Sequence, residues 1–484
     1  MIRTFFTLAL GFIPLFYIHA QQVGKIQALV QEFAQDPVLK YATVGFMAID
    51  IDQNTIEGQW NADQALIPAS SLKIVTTSTA IALLGCDYKF KTELQYDGYI
   101  ENGILKGNLY IKGGGDPTLA SPYMANVPSL NDLMISWVNA IKKAGIMKIE
   151  GSIIADDSYF DTNIIPYTWQ WGDMGNYYGS GIYGLNIYDN LYNVYFQQQG
   201  KLLETPNIKR IVPDMPYLHF TNEVYSAAKG SGDNVYVLAT PYSHEITLRG
   251  TLPIGSGEFR VRGAMPDPPF YAAYVLDKTL KNNGVDIAQA IQTLSVNNNV
   301  IRNSIHTHYS PSLFDISKHI NEESRNLYSE ALVKAIGLKV KNKASFEAGL
   351  LAIEEFWKAR GVDMGGAFLH DGSGLSARNA ITARILASIL RKAYIDESFC
   401  KFYDQLAIAG VTGTIAHMKK SGNATKNLRA KTGSLNRVRS YSGYFTTKSG
   451  KNIAFSILVN NYTGSGMTMK QKIEDLLVKM AAVN

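Results

Sequence analysis

The first residues that could do chemistry are a serine and a lysine three positions apart. In Ser70-Ser71-Leu72-Lys73 the pair follows Pro68-Ala69 at the head of an apolar run that Gly85 stops. The pattern predicts a helix to Leu84 with Ile74, Ile81 and Leu84 on its buried side. Residues spaced this way emerge on one helix face, so the hydroxyl and the amine can meet. A serine attacks an acyl carbon only once a base takes its proton. A lysine is such a base only when burial or a neighbouring cation lowers its pKa. The helix start also leaves backbone N–H groups unpaired, and that of Ser70 could stabilise an oxyanion. Taken alone, the pattern equally describes an N-cap serine followed by an exposed lysine, because Ser-x-x-Lys arises by chance about once or twice in a chain of this length.

Two further patterns change that balance. Ser-x-Asn occurs at Ser324-Arg325-Asn326, and also at Ser129, Ser295, Ser421 and Ser434. Ser324 stands out because Glu322-Glu323 and Leu327-Tyr328 flank it within helical sequence, where a short loop between helices would present it; its plainer reading is another helix cap. Lys431-Thr432-Gly433-Ser434 opens a strand-like segment. There glycine lets a substrate backbone approach closely, while the hydroxyls and the ammonium can hold a carboxylate. Lys420-Ser421-Gly422 and Lys448-Ser449-Gly450 read as turns. Helix, loop and strand motifs in this order are far rarer by chance than any one, and the combination is the signature of β-lactamases and penicillin-binding proteins.

The elements that must position these groups are legible in outline. Ile26, Leu29, Val30 and Phe33 recur at helical spacing, and Thr43 to Ile51 reads as a strand that turns at Asp52-Gln53-Asn54 and returns. From about Gln95 to Val296 short β-like runs, tyrosines and turn clusters replace long helices. Helical periodicity returns at Ser312, through Phe346 to Trp357 and Ile381 to Tyr394. Strands then follow from Lys431, and the last helix carries Ile473, Leu476, Leu477 and Met480 on one face.

At 484 residues the chain exceeds what one core usually serves, and 46% hydrophobic with 18% charged residues excludes a disordered or collagen-like chain. Met1-Ile2-Arg3, an apolar stretch from Thr4 to Ile18 and the polar Gln21-Gln22 read as a secretory signal cleaved after Ala20, too short for a membrane span. Cys86 and Cys400 lie far apart, and their pairing is not readable. The charge of +5 is dispersed except from Lys419 to Arg439, and an exported chain rarely meets nucleic acid. The eight histidines show no metal-ligand spacing, so neither a metal nor another cofactor is expected.

With these motifs the sequence resembles the class C low-molecular-mass penicillin-binding proteins, the D-alanyl-D-alanine carboxypeptidase/endopeptidase family. The segments that carry the resemblance are Pro68 to Lys73, Gly115-Asp116-Pro117-Thr118-Leu119, Asp156-Asp157-Ser158, Tyr177-Tyr178-Gly179, Asp371 to Ser376, Lys431 to Leu435 and Ser442-Gly443-Tyr444. The resemblance implies Ser70 as nucleophile, Lys73 as base, Ser324 as proton relay to the leaving amine and Asn326 as the group orienting the acyl side chain. It implies that Lys431 supplies positive potential and that Thr432 and Ser434 hold the terminal carboxylate. The Ser70 and Ser434 N–H groups would form the oxyanion hole. Related proteins commonly carry Leu-Ser-Arg where this chain has Leu375-Ser376-Ala377-Arg378, so no role passes to Arg378. An acidic group of the insertion would bind the free amine of a diamino-acid stem, with Asp157 and Asp161 the first candidates.

The expected architecture is therefore α+β: a serine β-lactamase/transpeptidase-like domain, an antiparallel sheet flanked by helices, with a large β-rich insertion. The boundaries expected are a signal peptide at 1–20, the catalytic domain at 21–95 and 297–484, a β-rich domain at 96–119 and 205–296, and a nested insertion at 120–204. The expected partners are peptidoglycan stem peptides and β-lactams as covalent inhibitors, with room for peripheral membrane or cell-wall association and none for nucleic acid. The rival readings are a β-lactamase or esterase on the same fold and a non-catalytic wall-binding scaffold.

Overall fold

In the computed structural model, which describes residues 24–418 and 422–484, the early hairpin and the late strands close one six-stranded antiparallel sheet. The signal read at 1–20 and the turn candidate Lys420-Ser421 lie outside the described residues. The strand order is Ala407–Ile408, Arg429–Leu435, Val438–Thr446, Asn452–Asn460, Thr43–Asp50 and Ile56–Trp60. The pairing of Thr43–Asp50 with Asn452–Asn460, in register from Thr43 opposite Asn460 to Asp50 opposite Ile453, joins the two ends of the chain.

Alternation along Asn452–Asn460 explains why this sheet is sandwiched. Phe455, Ile457 and Val459 point into a core shared with the helices Lys25–Ala34 and Gly466–Ala481. Ala454 and Leu458 point into the opposite core, shared with Lys73–Leu84, Asn326–Lys341 and Ala383–Ile395. A strand buried on both faces reads as continuous apolar sequence, as Ile453 to Val459 does. The helix Lys73–Leu84 is itself buried nearly all round, because further helices cover its far side.

The insertion departs from its sequence reading. It is β-rich, but it also holds two long helices, Leu130–Lys143 and Pro268–Asn282. Leu133, Met134, Trp137, Val138 and Ile141 form the buried stripe of the first, a helical period that the surrounding turn residues had obscured. Its largest sheet has the order Gln292–Leu294, Ile153–Asp156, Leu109–Lys112, Lys91–Tyr96, Asn303–Tyr309. The boundaries read at 95 and 297 therefore cut one strand of this sheet and exclude another; we draw them outward, to about residues 90 and 310. Nor do residues 120–204 pair among themselves. Ile153–Asp156 pairs with Leu109–Lys112, and Leu191–Gln197 with Glu258–Ala264. A separate three-stranded sheet, His219–Ala227, Glu245–Pro253 and Asn234–Leu238, lies in the same insertion, and its inward residues share one core with the rest of it. Hydrogen bonding between strands distant in sequence is what a linear reading cannot assign.

Candidate active site

Ser70 sits in a tight turn rather than in an α-helix. The segment Ala69–Leu72 is 3₁₀, and the α-helix begins at Lys73. Ala69 takes φ of +46°, a left-handed conformation that an alanine adopts only under constraint. Two glycines supply that constraint by close approach. A Cβ on Gly374 would collide with the Ala69 carbonyl oxygen. A Cβ on Gly433 would collide with Ser440 Oγ and come within 2.6 Å of the Pro68 oxygen and 2.9 Å of Ser70 N. Glycine at position 433 thus lets the strand Arg429–Leu435 lie directly against the nucleophile turn. Beneath it Ser71 Oγ and Ser440 Oγ are 2.8 Å apart, pinning turn to sheet.

Lys73 crosses under Ser70. Its Nζ donates to Ser70 Oγ at 3.0 Å, to Asn326 Oδ1 at 2.6 Å and to the Ser373 carbonyl at 2.6 Å. Asn326 is fixed from its other end, donating through Nδ2 to the Tyr178 carbonyl of the insertion at 2.8 Å. Burial lowers the Lys73 pKa to about 7, while the Asp371 and Glu330 carboxylates oppose that shift. An amine in that range is partly unprotonated near neutral pH, as a base must be.

Ser324 caps the helix Leu313–Glu323 with φ of +63°, and the turn Ser324-Arg325 leads straight into the helix Asn326–Lys341. The short interhelical turn expected from the sequence is present. Lys431 Nζ donates to Ser324 Oγ at 2.9 Å and to the Thr432 carbonyl at 2.8 Å. Lys431 is buried, and its pKa lies well below the ordinary lysine value through burial first and the Lys73 charge second, with Glu323 opposing. The Lys73 charge is thus felt at Lys431, whereas desolvation is what lowers Lys73. Thr432 is oriented by Thr414, its hydroxyl donating to Thr414 Oγ1 at 2.8 Å, and Ser434 is exposed. The edge strand Ala407–Ile408 pairs only with Arg429 and Ala430, so beyond Ala430 this side of the motif strand is left uncovered by it. An extended peptide could lie along that edge.

These groups open into a cavity of about 720 Å³ lined on one side by Ser70, Ser324, Asn326 and Ser434 and on the other by Gln170, Asp173, Tyr177, Tyr178 and Arg262 of the insertion. Neither acid favoured from the sequence lines it. Asp157 is buried and its pKa is raised chiefly by that burial, and Asp161 binds Lys334 Nζ at 2.8 Å. Asp173 lines it instead, beside Tyr178. Arg378 is not among the lining residues, but Arg262 is, its guanidinium 3.6 Å over the Tyr177 ring. Asp173 lies just ahead of the quoted Tyr177-Tyr178-Gly179 segment, but only folding brings it to the same cavity as Ser70. Other groups missed by the sequence reading are Glu330 and the Ser373 carbonyl, the second a backbone group that carries no side-chain signal.

Fold and cluster together define the class: a serine enzyme of the penicillin-recognising fold. A family model for the D-Ala-D-Ala carboxypeptidase 3 (S13) family matches residues 26–483. The chain belongs to that family. It is 28% identical over 437 residues to the D-alanyl-D-alanine carboxypeptidase DacB of Haemophilus influenzae, covering 89% of this chain and 88% of that one. It is 26% identical over 447 residues to a D-alanyl-D-alanine carboxypeptidase of an Actinomadura species, covering 90% of this chain and 81% of the relative. The crystal structure of penicillin-binding protein 4 from Haemophilus influenzae superposes with a TM-score of 0.80 at 26% identity, over 94% of this chain and 99% of that one. The same Haemophilus protein has also been solved with a β-lactam, and that structure superposes with a TM-score of 0.76.

Proposed function

We propose that this protein is an exported serine D,D-carboxypeptidase and D,D-endopeptidase that cleaves D-alanine-terminated stem peptides and cross-links of peptidoglycan through an acyl-enzyme on Ser70. The observation that carries this reading is the Lys73 amine, stripped of water and bonded to Ser70 Oγ at 3.0 Å. In the neutral state Lys73 takes the Ser70 proton as Oγ bonds to the carbonyl carbon of the penultimate D-alanine. The oxyanion so formed accepts from the Ser70 and Ser434 N–H groups. Ser324 gives a proton to the leaving amine as the C–N bond breaks and takes one back from the Lys431 ammonium bonded to it; water then attacks the acyl-enzyme, its proton returning to Lys431 through Ser324, while the Lys73 ammonium reprotonates Ser70 Oγ as the acid leaves. Thr432 and Ser434 receive the terminal carboxylate, and Asn326 orients the acyl chain.

In a cross-link the scissile bond joins the same D-alanine carbonyl to a side-chain amine, so the same steps apply. A cavity of about 720 Å³ has room for more than a departing D-alanine. Asp173 offers the carboxylate for a stem amine. Export is supported by the pairing of Cys86 with Cys400, a bond at home in an oxidising compartment, together with the signal-like start of the sequence. No helix among the described residues is long and apolar enough to cross a membrane.

Intact mass after brief incubation with a penicillin tests the reading. A single persistent adduct that disappears in Ser70→Ala is expected. Rapid drug hydrolysis without an adduct would point to a β-lactamase, and neither adduct nor hydrolysis would sink the assignment.

A further inference from the structure

Behind Lys73, away from the cavity, lies a carboxylate that none of these steps uses. Glu330 stands one turn after Asn326 on the same helix, so both side chains face the nucleophile helix. It is fully buried, and that burial, with the Asp371 charge, raises its pKa to about 8 against the pull of the Gly372 and Ser373 N–H groups. Its Oε1 accepts from Ser373 N–H at 2.7 Å and Gly372 N–H at 3.1 Å, and its Oε2 accepts from Gly372 N–H at 2.9 Å. The carbonyl of the same Ser373 receives Lys73 Nζ at 2.6 Å. A single residue therefore transmits the position of Glu330 to the amine.

That residue has little freedom to move. A Cβ on the adjoining Gly372 would collide with Val333 and approach Ser329 O at 3.2 Å and Thr76 Cγ2 at 3.3 Å. The Gly372 carbonyl also accepts from Thr76 Oγ1 at 2.7 Å. The charged groups facing Glu330 are Lys73 from the nucleophile helix, Asp371 from the loop and Lys334 from its own helix. Lys334 is occupied by Asp161. Asp371 is occupied by Trp169 Nε1, Asn379 Nδ2 and the N–H groups of Gly374 and Ser376. Asp371 thus holds the loop's own shape, and Glu330 is the carboxylate that ties the loop to the helix carrying Asn326.

We propose that Glu330 is a positioning residue for the base: its carboxyl group holds the Gly372–Ser373 segment that fixes Lys73 against Ser70. The proposal rests on Lys73 being the base.

The test is the second-order rate constant for acylation by a fluorescent penicillin between about pH 5 and 9, measured for the full chain and two variants. In Glu330→Gln the amide keeps the shape but presents N–H to N–H, so the plateau is expected to fall about 10-fold. Glu330→Asp keeps both acceptor oxygens and shortens the reach, so it is expected to recover part of that loss, which lost packing alone would not produce. An unchanged plateau in Glu330→Gln, or a plateau in Glu330→Asp no higher than that of Glu330→Gln, overturns the proposal. If Glu330→Gln does not fold, Glu330→Asp decides: an unchanged plateau overturns the proposal. Acylation that survives Lys73→Met would remove the base assignment itself, whatever the Glu330 variants do.

Discussion

On the sheet side of the cavity, Ser70, Lys73, Ser324, Asn326 and Lys431 are bonded to one another and backed by buried helices. On the insertion side, Gln170 and Asp173 come from a loop, Tyr177 and Tyr178 from a 3₁₀ turn and Arg262 from a strand. The first wall is over-determined, each polar group held by at least one other. The second holds Asp173 by the Tyr178 hydroxyl and Arg262 over the Tyr177 ring, both at the cavity where a ligand can reach them. Chemistry common to every substrate belongs on the rigid wall, and discrimination between substrates on the adaptable one. The two walls are stitched together by Asn326 Nδ2 on the Tyr178 carbonyl, and by Tyr328 OH on Asp189 of the insertion at 2.7 Å. The insertion thereby helps hold the second motif as well as facing the substrate.

This division predicts different signatures for mutations on the two sides. Lys73→Met should have the largest effect, lowering acylation by peptide and by penicillin alike by at least about 10³-fold. Its melting temperature should fall, because the apolar chain leaves Asn326 Oδ1 and the Ser373 carbonyl without their donor. Stopped-flow acylation and a thermal scan check both, and a loss confined to peptide substrates would break the comparison. Gly433→Ala should come next, at about 10²-fold, because the new methyl forces the motif strand away from Ser70. Again both substrates should suffer. The smallest and most discriminating effect belongs to Asp173→Asn. Here kcat/KM for a stem peptide with a free side-chain amine should fall about 10-fold, while acylation by a penicillin lacking that amine stays within about 2-fold. Equal losses for both ligands would mean that Asp173 supports the rigid wall through Tyr178 instead of reading the substrate.

Much of the rigid wall was legible in the linear chain because its signals are local. Serine and lysine at i and i+3, a proline before and a glycine after fix a helix face and its ends, whatever the rest of the chain does. The same holds for the helix ending in Met480 and for the hairpin after Thr43. Its 3₁₀ start at Ala69 was not legible, since the left-handed φ there is imposed by Gly374 and Gly433, two segments far away in sequence. The adaptable wall was harder to read. Asp157 and Asp161 were reasonable acids by position, but burial takes the first and Lys334 the second, while Asp173 is turned into the cavity by its loop.

By itself, then, the sequence determined which residue types could form an acylating site, the local elements carrying them and the class of fold. Local hydrogen bonding and hydrophobic period suffice for those. Tertiary structure alone decided that Cys86 meets Cys400, how the insertion's strands pair and that Glu330 lies behind Lys73. It also decided how far the Lys73 pKa drops, because desolvation depends on everything packed around the amine, and that packing is assembled from segments some 300 residues apart, as Lys73 and Ser373 are.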